Sequence, residues 1–224
     1  MSSIYQIALG TDFARLHPMI QRRFGFSSAD RTAAIGRGVM ERVWHGRPYT
    51  LPFLHVGTWR HIMFPEYGQN VPFTIENYAY RDSFGRETVT WLRTFQTRRA
   101  RRFDAYMVYS PQRRKIVDYL GTHQHLAVDI DLSVDDRGGL RLRSGEQRFY
   151  EHRIGFRFPM LFSGVADVCE WYDDAIGRYW ISVSVHNRRW GSLFGYEGQF
   201  DVQWVPMLGR VPSHAKPRRE ERRE

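Results

Sequence analysis

The stretch FTIENYAYRDSFGRETVTWLRTF, residues 73–95, holds two runs rich in aromatic and β-branched residues, joined by a short connection that contains Gly85. That combination is the signal of a β-hairpin. Downstream the pattern repeats. Arg102 to Tyr109 precedes Arg114 to Leu120, and His125 to Asp135 precedes Gly139 to Phe149 across the turn DDRGG. Val165 to Tyr172 and Tyr179 to His186 follow, and a closing strand is predicted from Tyr196 to Val205. A first strand near Val39, where Gly36 and Gly38 point to close backbone approach, brings the predicted count to about ten. Short connections without a long crossover require antiparallel pairing, and a sheet of this length curls or closes. The predicted class is mainly β (α+β): a curved antiparallel sheet of about ten strands, or an up-and-down barrel, with short N-terminal helices.

Upstream of the strands, Ile4, Ile7, Ala8, Phe13, Leu16, Met19 and Ile20 approximate helical spacing, with breaks near Gly10 and Pro18. They predict one or two short helices. A further helix is expected from about Phe53 to Phe64, with Pro52 at its start.

Hydrophobic residues make up 42% of the 224 and aromatics 15%, which is enough to build a core and excludes disorder for the body of the chain. One domain is expected over residues 1–205. The single Cys169 cannot form an intramolecular disulfide, and residues 1–16 hold no apolar run of signal or spanning length. The expected location is cytoplasmic. Part of the net charge of +9 lies in the segment MLGRVPSHAKPRREERRE, which has few apolar residues. Residues 206–224 are therefore predicted to be a basic, disordered tail, with an electrostatic contact to anionic membrane as the role open to it. The clusters RRARR (98–102) and RRK (113–115) flank a strand at its two ends rather than forming one patch. Aromatic and basic interleaving in RFDAYMVYSPQRRK resembles single-strand nucleic-acid binding, but ordinary hairpins look the same, and nucleic acid is not the expected partner.

Between Gln124 and Val134 the even positions are largely apolar and the odd ones largely polar, which gives a one-sided strand. His123, His125 and Asp129 share one parity in the spacing HxHxxxD, a set that suits zinc, iron or manganese. Their row lies opposite the apolar one and is expected to face solvent, so no metal is expected there. Glu76, Glu87, Asp167 and Glu170 stand among aromatics, where desolvation raises a carboxylate pKa, and they are the candidates for acid–base chemistry together with His125. Each also suits a structural role as the partner of an arginine. Gly36, Gly38 and Glu41 lack the third glycine of a dinucleotide fingerprint, and no phosphate-cradling GKS or GKT occurs, so no cofactor is expected.

The segments LHPMIQRRFG, IGRGVMERVW, VPFTIENYAYRDSFGRETVTWLRTF, IVDYLG, LAVDIDLSV and NRRWGSLFGYEGQFDVQW resemble a bacterial domain-of-unknown-function family. That family is found alone or at the C-terminal end of larger chains, some with a dehydrogenase-like or membrane-spanning N-terminal part. The resemblance reaches to about Val205 and implies early helices plus a curved antiparallel sheet. It carries no catalytic motif. Its recurrent marks, Gly121, Pro159, Gly191, Gly195, Tyr196 and Gly198, read as turns and strand packing. The expected function is a barrel that binds an apolar or amphipathic small molecule such as a lipid, isoprenoid or polyketide. A cofactor-free isomerase, cyclase or hydrolase in the same cavity, and a structural domain with a filled core, are the alternatives.

Overall fold

Short connections lay each strand against its predecessor until the ladder meets its own start. The computed structural model describes residues 2–151, 154–157 and 163–222. Strands β1 (Thr32–His45), β2 (Gly68–Arg81), β3 (Glu87–Gln96), β4 (Ala100–Ser110), β5 (Lys115–Leu120), β6 (Leu126–Val134) and β7 (Leu140–Glu151) form an antiparallel meander. The short β8 (Ile154–Arg157) pairs only with the end of β7 and is a strand that the sequence pattern does not reveal. β9 (Val165–Asp173), β10 (Arg178–Asn187) and β11 (Gly191–Pro206) complete the circuit. β11 pairs with β1 and β9 with β7, so ten of the eleven strands among the described residues make a closed barrel. Closure removes the free edges that an open sheet of this size would expose.

Alternate residues point inward, and the inward rows are those that sequence alternation marks as apolar. On β6 these are Leu126, Val128, Ile130, Leu132 and Val134, all within or packed against the core. β1 passes so near its neighbours that only glycine fits. A Cβ on Gly38 would lie 2.0 Å from the Gln199 carbonyl oxygen, and one on Gly36 2.5 Å from Ile75 Cγ2.

Helix α1 (Ile4–Leu9) starts at a capping box between Ser3 and Gln6 and stops at Gly10, whose φ is +56°. Helix α2 (Pro18–Phe24) begins on a proline. Together they bring Ile4, Tyr5, Ile20 and Phe24 into the core and plug the barrel from one side. Helix α3 (Leu51–Trp59), in the connection from β1 to β2, lies at the opposite end and stops short of the predicted Phe64. No helix among the described residues is long and apolar enough to cross a membrane.

The C-terminal segment departs from the predicted disordered tail. It crosses the outside of the barrel as a strap. Met207 N–H donates to Arg31 O at 2.7 Å, Arg218 N–H to Thr122 O at 2.7 Å, and Glu221 N–H to the Gln124 side chain at 2.6 Å. Ala215 is fully buried against an outward-facing patch that includes Tyr78, Leu92, Tyr106 and Tyr119. The few apolar residues of the segment meet a patch that would otherwise stand exposed, and that match provides the burial which its own composition lacks.

Candidate functional site

A cavity of about 310 Å³ lies inside the barrel, walled chiefly by aliphatic and aromatic side chains. Leu54, Val56 and Gly57 of α3 border it at one end, with Val128 and Leu142 on the side. Trp91 and Met107 also line it, and both meet the α1 plug. Trp91 Nε1–H donates to Tyr5 Oη at 2.8 Å, and that hydroxyl donates onward to Met107 Sδ at 3.3 Å.

One seam of the barrel wall is built differently. β7 pairs with β9 only from Leu140 to Arg143. Beyond that point side chains replace the ladder, because Ala166 N–H donates to Ser144 Oγ at 2.7 Å and Gln147 Nε2–H donates to Gly164 O at 2.6 Å. Ser163 Oγ–H donates to Gln147 Oε1, and Asn187 Nδ2–H donates to Ser163 O. Ser144, Gln147, Ser163 and Gly164 all border the cavity, so its wall includes a polar strip that is held by side chains instead of by strand pairing.

Two charged side chains also reach the cavity, Arg93 and Asp118. Both lie on inward rows, Asp118 between the apolar Ile116 and Leu120 on β5. Arg93 Nε–H donates to Phe103 O at 3.2 Å and Nη1–H to Tyr196 Oη at 3.0 Å. Asp118 is 6% exposed, and its Oδ1 has no hydrogen-bond partner among the described residues. Burial pushes its carboxyl up to about 7, against the lowering effects of Arg93 and the Tyr106 backbone. A carboxyl poised near neutrality in an apolar, aromatic cavity can donate a hydrogen bond when protonated and accept one, or a proton, when ionised.

The residues singled out from sequence lie elsewhere. Glu76 faces outward beneath the strap, where it accepts hydrogen bonds from Tyr78 Oη and pairs with His214. Glu87 accepts hydrogen bonds from Ser28 N–H and Oγ–H. Asp167 is also outward, beside Arg143 and His186. Glu170 does point inward, but Arg23 of the α2 plug binds it, and that arginine also donates to Asn77 Oδ1 at 2.9 Å. Burial raises the Glu170 carboxyl, with Arg23 opposing the shift. None of these four carboxylates lines the cavity, and neither does His125, whose Nδ1 lies 3.0 Å from Tyr150 O.

The HxHxxxD row also comes apart. Gly121 and Gln124 both have positive φ, so His123 and His125 stack in a turn, and β6 begins only at Leu126. Asp129 is held by Arg113 and Arg148. Among the described residues no group of three His, Cys, Asp or Glu side chains is placed to hold a metal ion. Among the family marks, Pro159 lies outside the described residues.

Comparison with known proteins bears on the same walls. A family model described as a domain of unknown function (DUF4166) matches residues 16–200, which contain the whole cavity lining. The chain belongs to the DUF4166 family. It is also similar to "Uncharacterized protein YndH" of Bacillus subtilis (strain 168), 29% identical over 204 residues that cover 91% of this chain and 98% of that protein. In DUF4166 terms the match spans α2 and the barrel up to Phe200 of β11, while the strap lies beyond it.

Asp118 is the residue that sequence reading passed over. A signal for it existed in KIVDYL, where a lone carboxylate shares parity with Ile116 and Leu120. Reading that signal required knowing that this row faces the interior.

Proposed function

We propose that this DUF4166 barrel binds one apolar or amphipathic small molecule of lipid, isoprenoid or polyketide type, in the cytoplasm, with its polar end at Asp118 and Arg93. The observation that carries the reading is the cavity itself: about 310 Å³, walled mainly by apolar groups, with one carboxylate oxygen, Asp118 Oδ1, buried without a hydrogen-bond partner among the described residues. Apolar walls with a few convergent polar groups are the usual form of a small-molecule site. A buried carboxylate oxygen left without a hydrogen bond costs stability unless something binds it, and a hydroxyl or amine on the ligand would satisfy it. Native mass spectrometry of the purified protein, followed by denaturing extraction, tests this. A single co-purified molecule lost in Asp118→Ala supports it, and a ligand retained in full by a variant with a filled cavity overturns it.

The near-neutral carboxyl favours a second reading, a cofactor-free enzyme that moves a proton on the same ligand, with Asp118 as the acid–base group in place of the candidates read from sequence. Turnover of the extracted ligand by wild type but not by Asp118→Asn would separate catalysis from binding.

A further inference from the structure

The helix α3 has the sequence LPFLHVGTW, with no acidic or basic residue apart from His55 and apolar groups on every side. A helix of that kind is normally covered all round. Here Leu54, Val56 and Gly57 line the cavity, yet Val56 is also 70% exposed at its mouth and Trp59, outside it, is 87% exposed. Tyr67, in the same connection, is 75% exposed.

The inter-strand loops at this rim are strongly basic. Arg47, Arg98, Arg99, Arg188 and Arg189 are all exposed and make no ion pair among the described residues. The one carboxylate in the described loops of this rim, Glu66, is held by Arg101. At the opposite rim the turns carry Asp82, Asp135, Asp136 and Asp174 together with Arg86, Arg113, Arg114 and Arg137, so acidic and basic groups balance there. Net positive charge is thus concentrated at the α3 rim, where arginines without an ion pair among the described residues share the rim with the exposed Trp59 and Tyr67.

We propose that the α3 rim is a docking surface for a bilayer that contains anionic lipid. Exposed Trp and Tyr suit the headgroup boundary, and arginines around them suit its negative surface. A second copy of the chain would fit worse, since a twofold contact would set the arginines of one rim against those of the other. The strap is the poorer candidate for the same role, because Arg219 pairs with Glu221 and Lys216 stands over Tyr80. The inference rests on the rim alone and does not require an occupied cavity.

Flotation of the full chain with vesicles of phosphatidylcholine, alone or mixed equally with phosphatidylglycerol, tests it. Binding is expected only to the mixed vesicles, and it should weaken with added salt. Trp59→Ser with Tyr67→Ser should bind about tenfold more weakly at an unchanged melting temperature, because both side chains are exposed. Arg188→Glu with Arg189→Glu should show the same loss, and Lys216→Ala with Arg218→Ala should bind as wild type. The proposal is overturned if wild type does not float, if it binds both vesicles equally, or if only the strap variant loses binding. A dimer in solution that Trp59→Ser dissolves would likewise assign the patch to a second copy and overturn it.

Discussion

The Arg93 guanidinium lies 3.7 Å over the centre of the Phe103 ring, and its Nη1–H donates to Tyr196 Oη at 3.0 Å. Arg93 is the positive charge that acts on Asp118, but no ion pair joins the two. The arginine is held by an aromatic face, a phenol and a backbone carbonyl. The carboxyl therefore keeps a raised affinity for protons and an open oxygen.

Stability should follow from that carboxyl. In the folded chain it titrates near 7, above the ordinary value of 3.8, so the folded state holds the proton more tightly than the unfolded state. A raised pKa gives stability that is complete below the unfolded value and is lost as pH rises through the folded one. Between pH 4 and 7 wild type should lose stability relative to Asp118→Asn, by on the order of 4 kcal/mol if no ligand is bound. Urea denaturation of both proteins at several pH values checks this. Parallel pH profiles would show that Asp118 titrates normally.

The buried Arg23 and Glu170 pair pins the α2 plug to β9. Removing one partner leaves a buried charge without compensation. Arg23→Ala should lower stability by about 3–5 kcal/mol, whereas Arg23→Met combined with Glu170→Leu should restore most of it. Equilibrium unfolding of the single and double variants measures both effects.

How much of this could be read in the sequence depended on whether the deciding signal was local. The turn at Asp82–Arg86, the break at Pro18, the paired Gly36 and Gly38 and the alternation along β6 each act within a few residues, and each was legible. Asp118 and the strap were not, because their surroundings come from distant segments. Met207, Val211 and Ala215 join an outward apolar cluster that includes Tyr78 of β2, Tyr106 of β4 and Tyr119 of β5. Composition alone made this stretch look solvated. The expected solvent-facing row of His123, His125 and Asp129 was misread for another reason: the left-handed residue at Gln124 puts both histidines in a turn ahead of β6, and Asp129 is buried between Arg113 and Arg148.

The strap gives a direct prediction. Truncation after Pro206 removes the cover from that patch, together with the hydrogen bonds of Arg218 and Glu221 to the turn at Thr122–Gln124. It should cost about 2–3 kcal/mol and lower the melting temperature by several degrees. Calorimetry of the truncated chain tests it, and an unchanged melting temperature would return the segment to the status of a dispensable tail.

The central claim is that the barrel interior is a binding cavity. Its most direct test is a fluorescence titration with N-phenyl-1-naphthylamine, an apolar dye that brightens on leaving water, against wild type and a Val128→Trp, Val168→Trp variant. Both positions line the cavity, so the variant fills it from within. The account predicts saturable binding of one dye per wild-type chain and loss of that binding in the variant, with its melting temperature maintained or raised. Equal binding by the two proteins, or no saturable binding by wild type freed of endogenous ligand, would contradict it.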